Sequence, residues 1–166
     1  MKNTDTYRLD GPLGPMILAA TEQGLSGAWF QGQRHAPSSD CMQHWTPNAQ
    51  NPLLVRAADQ LEAYFSGQLA RFELPLDLSA GTLFQQSVWH ALLTVPAHQT
   101  RSYGDLAKQL NKPKAARAVG SAVGRNPLAI IVPCHRILAS NGGLTGYAGG
   151  LWRKKTLLEI DRQQTA

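Results

Sequence analysis

The sequence predicts a mixed α/β protein in two parts: a small N-terminal sheet-bearing domain over residues 1–80 and a helical C-terminal domain over residues 81–166. Three observations carry this. Between Tyr7 and Phe30, short apolar runs alternate with glycine-bearing turns, which is the pattern of hairpins. After Thr82, apolar residues recur at helical spacing behind residues suited to capping. Between the two, Ser79-Ala80-Gly81-Thr82 interrupts both patterns. A chain of 166 residues is long enough to bury one good core or two small ones.

In order along the chain, Gly11-Pro12-Leu13-Gly14 and Glu22-Gln23-Gly24 separate Met16–Ala19 from Leu25–Phe30, so a small antiparallel sheet should open the chain. Residues 31–52 are polar, proline-bearing and aperiodic, and read as a loop. His35, Cys41 and His44 fall within it, but no fourth ligand stands at the spacing a zinc site needs. Leu54, Ala58, Leu61 and Phe65 then repeat at helical spacing and Gly67 stops them, predicting an amphipathic helix from Leu53 to Ser66 packed on the sheet. Arg71–Leu76 should return as an extended segment.

In the second part, Thr82 with Gln85 three residues on is the signature of a capped helix start, with Phe84, Val88, Trp89, Leu92 and Leu93 as its apolar face. Ser102 caps a second helix, Tyr103 to Leu110. Asn111-Lys112-Pro113 turns it into a third, from Lys114 to about Gly124, and the pair has the grammar of a helix-turn-helix. A last helix, Leu151 to Arg162, places Leu151, Leu158 and Asp161 on one face.

Composition narrows the function classes. The formal charge is +5 with basic residues thickest after Arg101, which suits a polyanionic partner. Cys41 and Cys134 are the only cysteines and lie in unrelated contexts, so a disulfide framework is not expected. No leader or membrane-spanning run is legible, and the expectation is a soluble cytoplasmic protein.

The chemistry concentrates at Ile130-Ile131-Val132-Pro133-Cys134-His135-Arg136-Ile137-Leu138, where an apolar run delivers a thiol between proline and a His-Arg pair. A thiol attacks as its thiolate and needs a base or a positive field, and His135 and Arg136 offer both. The competing reading is a buried cysteine packing as a small hydrophobe. Upstream, the third helix carries Ala115, Ala116, Ala118, Gly120, Ser121, Ala122 and Gly124, almost without bulk. Glycine within a helix costs about 1 kcal/mol relative to alanine, so something must approach closely. Val119 and Val123 fall on one side, and Lys114, Arg117, Ser121 and Arg125 on the other with Ala118 and Gly124. Such a small, basic face suits a sugar-phosphate backbone, and suits equally a tight helix contact with a solvated rim.

Downstream, residues 141–150 form a glycine-rich loop holding Tyr147, able to wrap a flat ligand, although an aromatic there more often packs. Asp161 on an inward face wants a partner, and His135 is the candidate unless the carboxylate is a frayed terminal group.

Together, Pro133-Cys134-His135-Arg136, Arg117-Ala118-Val119-Gly120, Gly124-Arg125-Asn126-Pro127 and Gly146-Tyr147-Ala148-Gly149-Gly150 resemble the O6-alkylguanine-DNA alkyltransferase family. The likeness runs over most of Thr82–Asp161, through Phe84-Gln85, Val88-Trp89, Pro96, Ser102-Tyr103 and Leu106-Ala107, and is looser before it. It implies a ribonuclease-H-like N-terminal α/β domain and a C-terminal winged helix-turn-helix. It also implies irreversible transfer of an alkyl group from O6 of guanine, or O4 of thymine, in double-stranded DNA to Cys134. No metal or organic cofactor would be needed.

The resemblance further implies a monomer that enters the minor groove with Lys114, Ala116, Arg117, Ser121 and Arg125, Arg117 replacing the everted nucleotide in the stack. By matched position, His135 with Asp161 would relay the thiol proton through water, Tyr103 would assist the leaving base, and Asn126 would brace the turn. Tyr103, Ile137, Tyr147, Ala148 and Gly149 would line the pocket. Asp161 stands where the family has glutamate, one methylene shorter, so its link to histidine should be longer or water-bridged and the reaction slower. His98 and Asn111 replace common glycines. Other readings are a non-catalytic lesion-binding relative, against which Cys134 speaks, and a helix-turn-helix regulator, against which the absence of an extra cysteine-rich domain speaks. A thiol hydrolase would need distant His and Asn signatures that are absent.

Overall fold

The computed structural model describes residues 2–164. Three strands, β1 (Asp5–Gly11), β2 (Gly14–Thr21) and β3 (Gly24–Phe30), pair antiparallel in chain order. The two-residue turn between β1 and β2 is closed by the Gly11–Gly14 pair. At Gly24 the backbone has φ 151°, and a Cβ there would stand 2.7 Å from the Pro75 carbonyl, so only glycine fits the close approach.

Residues 31–52 are more ordered than their composition predicts. Ser38 caps a short helix, α1 (Ser39–Met42), and β4 (Thr46–Pro47) pairs parallel with β1 to complete a sheet of order β3-β2-β1-β4. Neither element has an apolar repeat: α1 buries no side chain, and β4 is held by its neighbour's edge. Among the described residues no three His, Cys, Asp or Glu side chains converge to hold a metal ion.

Helix α2 (Pro52–Phe65) begins where Asn51 accepts from the amides of Leu53 and Leu54, and it lays Leu54, Ala57, Ala58, Leu61 and Tyr64 on the sheet. Gly67 at φ 79° turns the chain back into the extended segment that docks on the free edge of β3. There Leu25 bridges Leu76, and Ala28 bridges Leu128. The second bridge is what places the functional site. Ala28 donates to the Pro127 carbonyl and accepts from Ala129, at 2.8 and 2.9 Å, fastening the segment before the cysteine to the N-terminal sheet.

Helix α3 (Leu83–Leu92) starts with the predicted reciprocal Thr82–Gln85 cap. Leu93 is not part of its apolar face: it is the C-cap and stands exposed, while Ala91 is buried instead. Helix α4 (Tyr103–Gln109), capped by Ser102 with Asp105, and α5 (Ala116–Gly124) form the helix-turn-helix. His98 and Asn111, the two glycine replacements, do adopt positive φ, 73° and 59°. Asparagine tolerates this locally; histidine does so less readily.

Two short strands, β5 (Arg101–Ser102) and β6 (Ile137–Leu138), pair in parallel, and a 3-10 turn over Cys134–Arg136 leads into β6. In α6 (Leu151–Gln163) the buried positions are Lys154, Leu157, Leu158 and Asp161. Leu151, expected on the inward face, is exposed because the first turn overhangs the core. Apolar side chains from both halves join one continuous core, and no helix among the described residues is long and apolar enough to cross a membrane.

Candidate active site and nucleic-acid interface

Cys134 opens the 3-10 turn, and its side chain meets a cavity of about 320 Å³. Tyr103, Gly120, Ser121, Gly124, Arg125 and Asn126 form one side of it, and Gly146–Gly149 the other. Only 7% of Cys134 is exposed, enough to face the cavity and too little for bulk water. Burial therefore pushes the thiol up, against which a hydrogen bond from Asn126 and the charge of Lys154 pull it down. At rest the group is a thiol.

Asn126 ties the site together. Its Nδ2 donates to the Val132 carbonyl at 2.8 Å and to Cys134 Sγ at 3.1 Å, while its Oδ1 accepts from the Leu128 amide at 2.9 Å. One amide thus fixes the turn out of α5, the segment held by β3 and the sulfur. The Tyr147 hydroxyl is buried beside the sulfur without another well-aligned partner.

Behind the thiol lies a closed polar chain. His135 is fully buried, and its Nε2 meets Asp161 Oδ2 at 3.0 Å. Asp161 also accepts from Arg136 Nε at 2.8 Å, from Arg136 Nη2 at 3.0 Å and from the Tyr64 hydroxyl at 2.7 Å. Burial alone would raise the Asp161 pKa, but hydrogen bonds from His135 and Arg136 outweigh it and hold the carboxyl well below the usual range. An ionised carboxylate only accepts, so His135 must carry its proton on Nε2, leaving Nδ1 as the lone-pair side. Nδ1 is buried with no protein partner. Burial keeps the imidazole neutral at neutral pH, lowering its pKa although Asp161 opposes this. The expected longer or water-bridged link is corrected here: the shorter acid reaches histidine directly, because α6 packs tightly under the 3-10 turn and Arg136 and Tyr64 hold the carboxylate in place.

Lys154 is fully buried and donates from Nζ to the Thr145 carbonyl at 2.7 Å, pinning the glycine-rich loop over the cavity. Burial depresses its pKa to about 8. Tyr64 and Lys154 were not singled out from sequence, and Arg136, expected to supply a positive field to the thiol, donates instead to Asp161. A buried lysine on an otherwise amphipathic helix carries no local signal, and Tyr64 lies 97 residues from its acid.

On α5, Arg117, Ala118, Ser121 and Arg125 are exposed, with Lys114 just before the helix, while Val119, Ala122 and Val123 are buried. Close packing does not account for the two glycines, whereas Ala122 is buried against Trp89. A Cβ at Gly124 would meet nothing within 4 Å, and at Gly120 only the Tyr103 ring at an ordinary 3.6 Å. Neither glycine is required by packing within the chain. Ala116 is half-buried at the start of the same helix.

Of the residues expected in the pocket, Tyr103, Tyr147, Ala148 and Gly149 line it; Ile137 does not. It is fully buried in β6, because pairing with Arg101 turns it into the core. Gln33, Arg34 and His35, from the N-terminal half, line the cavity unexpectedly.

Two family models match the chain. One is described as 6-O-methylguanine DNA methyltransferase, ribonuclease-like domain, over residues 6–78; the other as the DNA binding domain of the same family, over residues 83–163. A Mycobacterium bovis protein named methylated-DNA--protein-cysteine methyltransferase is 50% identical over 95% of this chain and 93% of its own length. A Methanosarcina acetivorans protein of the same name is 46% identical over 92% and 94%. The crystal structure of Mycobacterium tuberculosis OGT in complex with DNA superposes with a TM-score of 0.89 at 48% identity, covering 96% of this chain and 94% of that one.

Proposed function

Because the chain belongs to the 6-O-methylguanine DNA methyltransferase family, we propose that it repairs alkylated DNA by direct reversal, with Cys134 taking the alkyl group from O6 of guanine. The observation that carries this reading is a cysteine lining a base-sized cavity whose other wall is the small, cationic face of α5.

The alkyl carbon of a lesion is hidden in the duplex, so the nucleotide must be everted at a cost of a few kcal/mol, less where pairing is already weakened. Lys114, Arg117, Ser121 and Arg125 offset that cost through phosphate contacts, with Ala116 and the glycines letting α5 settle into the minor groove. Arg117 takes the space the base leaves in the stack. The base enters between Tyr103 and the loop holding Tyr147, Ala148 and Gly149.

His135 Nδ1, the free lone pair, takes the thiol proton through one water, and Asp161 steadies the imidazolium by charge. The Sγ–carbon bond forms as the carbon–O6 bond breaks. The departing guanine takes up a proton, assisted by the Tyr103 hydroxyl, so the net transfer is one alkyl group to sulfur and one proton to the base. Asn126 Nδ2 stabilises the negative sulfur before attack. A thioether has no route back to thiol here, so each molecule acts once, as a monomer. Every step is supplied by this chain's own side chains.

Intact-mass and peptide measurement after mixing with a duplex containing O6-methylguanine should show one added methyl, on Cys134. Tight binding with Cys134 unmodified would instead make the protein a lesion binder.

A further inference from the structure

The cavity has a wall that belongs to the other half of the molecule. Gln33, Arg34 and His35 lie in the loop after β3, yet they line the space that Cys134 faces. The loop is fastened at Gln33 and at Arg34. The Phe30 amide donates to Gln33 Oε1 at 2.8 Å, and the Arg34 amide donates to the Ala148 carbonyl at 3.0 Å, locking it to the glycine-rich loop. His35 sits at φ 62°, a backbone state uncommon for a side chain that is not glycine or asparagine.

Across the mouth stand Ser121 and Arg125 at the end of α5. Slight desolvation, then the charges of Arg125 and Arg34, which line the same cavity, lower the His35 pKa. Among the described residues, no carboxylate forms an ion pair with Arg34, His35 or Arg125. Two guanidinium groups therefore share one rim without a counter-charge, beside an imidazole that can donate a hydrogen bond, and the two cations repel each other until an anion arrives. Arginine's planar fork of donors matches the oxygens of a phosphate.

The anion that must accompany an everted base to this rim is its own backbone phosphate. We propose that Arg34 and His35, with Arg125, hold a phosphate flanking the everted nucleotide, so that the DNA contact crosses from α5 to the N-terminal half. This rests on the alkyl-transfer reading above. It assigns the N-terminal half a direct part in gripping substrate, beyond supporting the cysteine segment.

The test uses the full chain, a labelled duplex carrying O6-methylguanine, and a free O6-alkylguanine base that has no phosphate. Binding is followed across salt for the wild type, Arg34→Gln and His35→Asn; asparagine tolerates the left-handed backbone. For Arg34→Gln the slope of log affinity against log salt should shrink by about 0.9, the value of one lost phosphate contact. Alkyl transfer from duplex at limiting protein should then fall several-fold more than transfer from the free base. An unaltered slope overturns the proposal, as does an equal loss on both substrates, which would make the loop a wall for the base alone. If the wild type takes no alkyl group from either substrate, the alkyl-transfer reading fails and this contact with it; if it does and the slope stands, only the contact fails.

Discussion

Two regions of this molecule handle charge in opposite ways. Behind Cys134, Asp161, Arg136, His135 and Tyr64 are buried, and each carboxylate oxygen is matched to donors. Along the outer face of α5 and at the cavity mouth, Lys114, Arg117, Arg125 and Arg34 are exposed, and none of them ion-pairs with a carboxylate among the described residues. The interior is closed, and among the described residues only His135 Nδ1 and the Tyr147 hydroxyl are buried side-chain polar atoms without a protein partner; the exterior is open, awaiting negative charge. In a low-dielectric interior an unmatched charge is costly, so these buried groups are held rigid by pairing. At the surface water screens repulsion, so unpaired cations can be kept for a ligand.

The strongest challenge to this contrast is Asp161→Asn. It leaves Arg136 buried without its counter-charge and removes the acceptor that fixes the histidine tautomer. We expect denaturant unfolding to show a loss of about 3–5 kcal/mol, and single-turnover alkyl transfer to slow by about 10²- to 10⁴-fold. A variant with wild-type stability would show that the interior is not an obligate charge pair.

Acid should damage the interior before it touches the exterior. The folded chain keeps His135 neutral, so below the unfolded value of 6.5 the unfolded chain binds a proton that the folded one refuses, and stability declines. Asp161 adds stability that is fully present above the unfolded value of 3.8 and is lost as pH falls through its lower folded value. The free energy of unfolding from urea titrations should fall as pH drops below 6.5, by up to about 1.4 kcal/mol per pH unit for each group concerned. The first part of that fall should vanish in His135→Gln. Alkyl transfer by the folded protein should fall only at lower pH, as His135 titrates through its lowered folded value, since a protonated imidazole cannot accept the thiol proton.

Tyr64→Phe is milder. It removes one donor from Asp161 and leaves the Arg136 contacts, so unfolding should lose about 1.5–3 kcal/mol while transfer slows only a few-fold. Arg117→Ala should hardly change stability, within about 0.5 kcal/mol. It should weaken duplex binding and shrink the salt slope by about 0.9. A large stability loss there would place Arg117 among the interior groups and erase the contrast.

Much of this was legible before any coordinates. The strands of the first 30 residues, the amphipathic α2, the reciprocal cap at Thr82 and the helix-turn-helix follow from local pattern, because caps, turns and periodicity act over a few residues. The inward aim of Asp161 toward His135 was readable from helical phase as well. Less legible were α1 and β4, which have no apolar repeat, and the exposed Leu151 and Leu93, which sit at helix ends where periodicity stops predicting burial. The pocket role expected of Ile137 failed for the same kind of reason: strand pairing, not sequence proximity to Cys134, set its direction.

The sequence by itself determined which groups could react and which helix face could meet a polyanion, since residue type and short-range spacing fix both. Only the tertiary structure decided that Tyr64 steadies the acid, that Lys154 holds the loop over the cavity and that Arg34 and His35 reach the mouth. Those contacts join residues far apart in the chain, and nothing local encodes them; they arise when β3 takes the Leu128 segment onto its edge and the two halves close over one core.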